Sequence, residues 1–226
     1  MSRLKVDDIR QTGASSDAIS LDASGNTTLK GNTTINGNLT VNGTNNISSG
    51  RYIIEQFFTP ADGSTIATAN GDITVTNVTG SQTLSDTHTT FEGSEISYNP
   101  PTGTTQVIYE FHFSANNATG NSGSHLIHYK LNFDGNDITH SRKSQYHHAN
   151  GEDANPSMVF KWGINIGGIT DNDTGRIDAW NTAKTIKVMG RRYGSGNEAR
   201  INNTFYWDQT NADITQVPCV GITAIG

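Results

Sequence analysis

The chain has 226 residues and a formal net charge of −6, with 33% hydrophobic and only 16% charged residues. Globular proteins usually hold about 45–50% apolar residues when glycine is counted, so this hydrophobic fraction is low. Glycine, Thr, Asn and Ser replace the missing apolar side chains, and aromatic residues still make up 8%. A disordered chain would instead combine high net charge with few aromatic residues. The composition therefore predicts a folded chain with many turns and a polar, uncharged surface.

Charge and apolar patterning exclude several classes of partner. Nucleic-acid binding needs clustered Lys and Arg, whereas the densest basic stretch is the pair Arg191-Arg192. No apolar run of about 18 residues is present, so we expect no membrane insertion. The single cysteine, Cys219, excludes an intrachain disulfide, and its apolar surroundings favour a buried, inert thiol.

Residues 1–20 begin with MSRLKVDDIRQTG, a basic and partly apolar segment. Leu4, Val6 and Ile9 suit a short strand or turn. A terminal segment of this kind either frays or docks into a larger assembly. We predict that residues 1–20 form an anchor segment.

Residues 22–45 contain an internal repeat with a period of six: DASGNT, TLKGNT, TINGNL and TVNGTN. An apolar residue and a glycine recur in phase; the apolar positions are Ala23, Leu29, Ile35 and Val41, and the glycines are Gly25, Gly31, Gly37 and Gly43. A fixed short period is typical of a stack of equal units. One such unit cannot bury its aliphatic side chain alone, and the repeats are too few for a single-chain solenoid. We therefore predict that residues 21–48 form a β shaft of three intertwined chains, with the apolar residues in its core and the glycines at its turns. A flexible linker is the alternative.

Residues 51–226, after the boundary at Ser48-Ser49-Gly50, show successive strand patterns separated by turn signals. The predicted strands are Tyr52–Phe58, Asp72–Val78, Glu95–Tyr98, Gln106–Ser114, Ser124–Phe133, Ser157–Ile166, Thr185–Arg192, Ile201–Gln209 and Val217–Ile225. Apolar and polar residues alternate in the fourth and fifth, which marks half-buried antiparallel strands. The sequence predicts an all-β chain whose residues 51–226 form an antiparallel, jelly-roll-like β-sandwich head.

Histidines and acidic residues are the candidate metal ligands. His125 and His128 are three apart, so a strand would place them on opposite faces. The segment SRKSQYHHANGED, which holds His147-His148, is predicted to be a polar loop. Three copies of a histidine on a trimer axis are the alternative by which a metal would bind. We predict no bound metal and no cofactor.

The segment from Asp171 to Gly175 resembles the opening of a calcium loop, but the closing Glu of an EF-hand is absent. A turn between strands explains the same residues. Catalytic motifs are equally absent, since no Gly-x-Ser-x-Gly elbow or phosphate loop occurs. We predict that the protein has no catalytic residues and is not an enzyme.

Aromatic residues in loops are the candidate recognition residues, because loops on a rigid sandwich usually carry binding. Tyr146, Trp180 and Tyr193 are predicted in or near loops, and His147 adjoins the first of them. These four are the predicted receptor contacts. Trp162 is predicted in a strand and therefore in the core.

The opening MSRLKVDDIRQTG, the following SLDASGN, the repeat GNTTINGNLTVNG and the closing VPCVGITAIG resemble the small fibre and appendage proteins of tailed bacteriophages, marine cyanobacterial phages in particular. The resemblance implies a homotrimer on the virion exterior that assembles in the host cytoplasm. Its N-terminal segment would attach to another virion protein, and its head would contact a host surface glycan or protein. Two alternatives are a purely structural capsid decoration or head fibre, and a monomeric carbohydrate-binding module.

Overall fold

The computed structural model describes residues 8–9, 19–21, 23–24, 27–29, 50–116, 124–148, 156–194, 199–204 and 214–226. The chain divides into two units between residues 49 and 50. The described residues are almost entirely strands and turns, with one short 3-10 helix at Thr139–Ser141. Within these ranges, no helix has the length and apolar character needed to cross a bilayer.

The N-terminal unit contains three short strands, β1 (Asp8–Ile9), β2 (Ile19–Leu21) and β3 (Thr27–Leu29). They form an antiparallel sheet in chain order. Of the predicted shaft core, Ala23 lies exposed in a turn and Leu29 lies on β3, where its side chain is 50% exposed. The remaining shaft positions fall outside the described residues; they are Gly25, Gly31, Ile35, Gly37, Val41 and Gly43.

The head unit begins at residue 50. Its described strands are β4 (Ile53–Pro60), β5 (Thr65–Ile66), β6 (Ile73–Thr74), β7 (Gln82–Thr83), β8 (Thr89–Thr90), β9 (Ile96–Tyr98), β10 (Gln106–Asn116), β11 (Ser124–Phe133), β12 (Asn136–Asp137), β13 (Lys143–His148), β14 (Ser157–Asn165), β15 (Lys184–Arg192), β16 (Arg200–Ile201), β17 (Asn203–Thr204), β18 (Ile214–Thr215) and β19 (Cys219–Ile225).

Two large antiparallel sheets make up most of the described head, and β5-β6 and β17-β18 are short two-stranded sheets. The first has the order β4-β19-β10-β14, and the second has the order β9-β15-β11-β13. Strand pairing is nested: β4 pairs with β19, β9 with β15, β10 with β14, and β11 with β13. This nesting is that of one long antiparallel hairpin wrapped around a sandwich, which is the jelly-roll connectivity. The predicted all-β, jelly-roll-like sandwich is confirmed.

The core lies between the two sheets and is filled by alternate residues of each strand. On β10 and β11 the inward residues are at most 6% exposed; they are Val107, Tyr109, Phe111, Phe113, Ile127, Tyr129, Leu131 and Phe133. Phe91 packs against them, with its ring centre 5.2 Å from that of Phe113 in an edge-to-face contact. Such contacts add to the free energy gained by burying the rings. The predicted period-two alternation on both strands is confirmed.

Two predicted elements differ from the structure. The segment predicted as a polar loop contains strand β13, which pairs with β11 along six residues and forms the edge of its sheet. The edge position explains the error, because an exposed edge strand needs no apolar face and so shows no alternation. Of the predicted strand Asp72–Val78, only Ile73–Thr74 is a strand, although the bonds from Val75 and Val78 to the carbonyls of Ser64 and Ala61 continue the pairing with β5 in the same register.

A candidate ligand-binding face

The second sheet presents a set of polar and aromatic residues on the side away from the core. On β11 the odd-numbered residues face the core, so His128 and Leu126 face outward. His128 lies opposite Ser144 of β13 and Arg191 of β15, and Leu126 lies opposite Tyr146. Residues directly opposite one another in a sheet share a face. We call this surface the outer face.

Tyr146 and Tyr193 are the exposed aromatic residues of the outer face, with 58% and 60% of their surface exposed. Tyr146 is the β13 partner of Leu126. The backbone N–H of Tyr193 donates to the carbonyl of Leu126 over 2.9 Å. Tyr193 therefore lies beside Leu126 on the β15 side of β11, whereas Tyr146 lies beside it on the β13 side. The Tyr193 ring centre lies 5.9 Å from that of His128. The sheet thus brings two of the four predicted receptor contacts onto one face.

The other two predicted contacts differ. His147 lies on β13 opposite His125, and its side chain is outside the described residues. Trp180 is only 4% exposed, packs 4.9 Å from the ring of Phe133, and donates its Nε1–H to the carbonyl of Tyr98 over 3.1 Å. Its prediction as a surface contact is wrong, because the loop before β15 folds the indole back over the end of the core.

A basic pocket of about 280 Å³ opens beside these tyrosines. Residues on or directly before β8, β11, β13 and β15 form its walls. The polar residues that line it are His88, His128, Lys130, Arg142, Ser144 and Arg191. Lys143 and Tyr129 also line it. The ammonium of Lys143, however, lies 5.0 Å from the centre of the Phe160 ring in a cation–π contact.

The positive charges of the basic pocket are largely unneutralised by the described residues. Lys130 forms an ion pair with Asp137 at 2.5 Å. Arg191 donates to the backbone carbonyl of Asp86 over 3.3 Å, while the Asp86 carboxylate accepts from the neighbouring Arg192 over 2.7 Å. No described carboxylate forms an ion pair with Arg191 or with the exposed Arg142. The pocket therefore has a net positive charge in a chain that is acidic overall.

Both histidines of the basic pocket have lowered pKa values. Burial is the main cause of the low pKa of His88, and the charges of Lys130 and Arg191 lower that pKa further against the opposite effect of Asp137. Burial and then Arg191 lower the pKa of His128. Nδ1 of His128 hydrogen-bonds to Oγ of Ser144 at 2.7 Å. Nε2 of His128 is buried and has no hydrogen-bond partner among the described residues.

A second, larger cleft of about 450 Å³ lies where the loops before β10 and β15 meet. Its lining is mostly uncharged and includes Asn70, Asn99, Pro101, Thr104, Asp178 and Asn181. The Nδ2–H of Asn70 donates across the cleft to the carbonyl of Pro100 over 2.7 Å. The cleft offers amide groups and one carboxylate, and its one aromatic lining residue is the buried Trp180.

The segment that resembles a calcium loop is a turn. One carboxylate oxygen of Asp171 accepts the backbone N–H of Asp173 over 2.9 Å, and the other accepts the Thr174 hydroxyl over 2.8 Å. The Gly175 N–H donates to the Asp171 carbonyl over 2.8 Å. The bond from Thr174 is the main cause of the low pKa of Asp171. The turn interpretation is confirmed, and no group of three potential metal ligands occurs among the described residues.

No protein-family model matches this sequence, and no curated protein matches it. A solved structure described as "Structure of infectious bursal disease virus Gx strain" aligns with 12% sequence identity and a TM-score of 0.31. The alignment covers 91% of this chain but only 46% of that one. A likeness at this level carries no argument about function, so the jelly-roll assignment depends on the strand pairing alone.

Proposed function

We propose that the protein is a non-enzymatic virion protein of a tailed bacteriophage: a homotrimeric fibre or spike whose head attaches to the host surface. Residues 1–20 attach it to another virion protein, residues 21–48 form the shaft, and residues 51–226 form the head on the virion exterior. The observation that carries this proposal is a jelly-roll head joined to a short repeat whose two described apolar positions, Ala23 and Leu29, are exposed in a single chain.

Leu29 supports the trimer. Its side chain is half-exposed on β3, although the repeat places an aliphatic residue at this position in phase. Burying apolar surface is worth about 25 cal/mol per Å², so a single chain forgoes this free energy at Leu29. Three chains wound together would bury the aliphatic side chains against one another, and closed symmetry is the rule for homo-oligomers.

The outer face supports attachment. Tyr146 and Tyr193 are both large and exposed. Tyr146 lies on β13, and Tyr193 lies one residue after β15 with its N–H bonded to β11, which limits the entropy lost on binding. A trimer would present this surface three times. Three weak contacts on one particle can act together, because each later contact forms at high effective concentration.

Native mass, measured by light scattering, tests the trimer. We expect full-length protein to have about three times the 24.3 kDa chain mass. A second protein that starts at Arg51 locates the interface: a monomer would place it in residues 1–50, and a trimer would place it in the head. A monomeric full-length protein would overturn the fibre proposal and favour a carbohydrate-binding module on a linker.

A further inference from the structure

We propose that the basic pocket binds one anionic sugar unit of a surface polysaccharide, through a sulfate, phosphate or carboxylate group on that sugar. The pocket supplies the cationic groups for the anion, and Tyr193 supplies an aromatic ring for the sugar at its edge. The polysaccharide as the source of the anion depends on the attachment function proposed above. The pocket's affinity for the anion does not depend on it and can be measured separately.

The arrangement of charge is the first argument. The chain carries a net charge of −6, yet Lys130, Arg142 and Arg191 converge on one pocket with a single paired carboxylate. Like charges held close together repel one another and destabilise the folded state. An anion in the pocket relieves this repulsion, and Arg is well suited to hold sulfate, phosphate or carboxylate by two parallel hydrogen bonds.

The buried nitrogen of His128 is the second argument. Ser144 fixes the ring through Nδ1, whereas Nε2 is buried without a partner among the described residues. A buried polar atom without a hydrogen bond is costly and rare. Because this nitrogen is closed to solvent, the wall of the pocket must shift slightly before an oxygen of the ligand, from its anionic group or from a hydroxyl, can satisfy it.

The size and surroundings of the pocket are the third argument. A volume of about 280 Å³ is at the small end for ligand sites and suits one sugar ring rather than a polymer segment. Nucleic acid would need a basic strip that follows successive phosphates, and this pocket is a single concave site. The exposed Tyr193 ring, next to His128, offers an apolar surface against which the C–H groups of a sugar can pack.

Calorimetric titration of the full-length protein tests the proposal. The probes are dextran oligosaccharides of equal length in four forms: unmodified, sulfated, phosphorylated and carboxymethylated. We expect at least one anionic form to bind and the unmodified form not to bind. The strongest of the anionic forms identifies the anion that the pocket prefers.

Three variants make the test specific. We expect Arg142→Gln and Arg191→Gln each to weaken binding about tenfold, which corresponds to about 1.4 kcal/mol. Arg176→Gln is the matched control, because it removes the same charge from an exposed residue outside the pocket. Arg142 is itself exposed, so its variant should fold normally even if the Arg191 variant does not. Tyr193→Ala should weaken binding of the oligosaccharide but leave binding of inorganic sulfate unchanged.

Several results would overturn the proposal. Equal weakening by Arg142→Gln and Arg176→Gln would mean general charge attraction rather than a pocket. Binding of inorganic sulfate with no binding of any anionic oligosaccharide would exclude the sugar. If the protein is not a trimer, the light-scattering mass will show it, while the affinity of each chain for the anion stays unchanged. The two experiments therefore distinguish failure of the fibre proposal from failure of the pocket proposal.

Discussion

Gly190 shows how closely the core packs against the strand that also supplies Arg191. A Cβ atom at Gly190 would lie 2.2 Å from two ring carbons of Phe91 and 3.0 Å from the carbonyl oxygen of His128. Phe91 is fully buried and cannot move aside without disturbing Phe113. Protein interiors are close-packed, so an added methyl group here must strain its neighbours.

We therefore expect Gly190→Ala to lower the free energy of unfolding by about 1–3 kcal/mol, the usual range for overpacking. Gly80→Ala is the control, because nothing lies within 4 Å of a Cβ atom at that position. Urea unfolding of both variants gives the comparison. Equal stability of the two variants would contradict the close contact between Phe91 and the β15 backbone.

The two pocket histidines give the anion site a pH dependence with a definite sign. In the free protein the pKa values of His88 and His128 lie below the ordinary value of 6.5. A bound sulfate ester favours the charged form of each imidazole and raises both pKa values. Binding then takes up protons, so affinity for the sulfated oligosaccharide should increase as the pH falls from about 7.5 to about 5.5.

The other groups that face these histidines do not change this sign. The cationic groups among them are Lys130, Arg142 and Arg191. Burial alone would raise the pKa of Asp137, but its bonds from Lys130 and Asn132 outweigh burial and keep that pKa low. Calorimetry at several pH values, on the native protein and on a His88→Gln/His128→Gln variant, checks the assignment. If the affinity of this variant depends on pH as steeply as that of the native protein, the histidines are not the cause of the pH dependence.

Strand β19 is the element on which the first sheet most depends. It lies between β4 and β10 and pairs with both along most of its length. Val220, Ile222 and Ala224 point into the core and are at most 1% exposed. Its outward residues alternate with these, and Thr223 accepts a hydrogen bond from Gln56 over 2.9 Å on the exposed side.

The two faces of β19 should respond differently to truncation. We expect Ile222→Ala to lower the free energy of unfolding by about 2–5 kcal/mol, because it leaves a cavity in the core. Thr223→Ala removes an exposed contact and should cost less than about 1 kcal/mol. Chemical denaturation measures the free energy of unfolding of the two variants. A similar decrease in both would contradict the burial of Ile222 in the core.

At the same scale, sequence alone could predict some elements and not others. Strands β10 and β11 were predictable because each has one buried face, which imposes a period of two on the sequence. Strand β13 has no such pattern because it lies at the edge of its sheet. The basic pocket gives no local signal either: His88, His128 and Arg191 are far apart in the chain, and only the strand register brings them together.

The aromatic residues show the same limit. Tyr146, Trp180 and Tyr193 were predicted as contacts for one shared reason, their expected place in or near loops. Two of them are more than half exposed, whereas Trp180 is buried. Chain position near a turn does not fix whether a large side chain points to water or folds back onto the core, since that depends on the space left by distant residues such as Phe133.

At the scale of the whole molecule, nested pairing makes the head a fold of long-range contacts. The pairing of β4 with β19 joins residues about as far apart as the head allows, and the pairing of β9 with β15 spans about half that separation. Closing such large loops costs entropy before any contact is gained, so folds of this kind form slowly. The overall architecture was nonetheless predictable, because many short strands with frequent turn signals and no long helix favour a two-sheet sandwich.

Nested pairing also places the two ends of the head side by side. Ile53 lies opposite Ile225, and the N–H of Gly226 donates to the carbonyl of Tyr52 over 2.9 Å. To carry the head as an insertion, a loop of an unrelated protein would need two attachment points only about 5 Å apart, which is one strand spacing. Such side-by-side ends make a domain portable. The closeness of these ends favours transfer of the head as a cassette that carries its outer face and basic pocket with it.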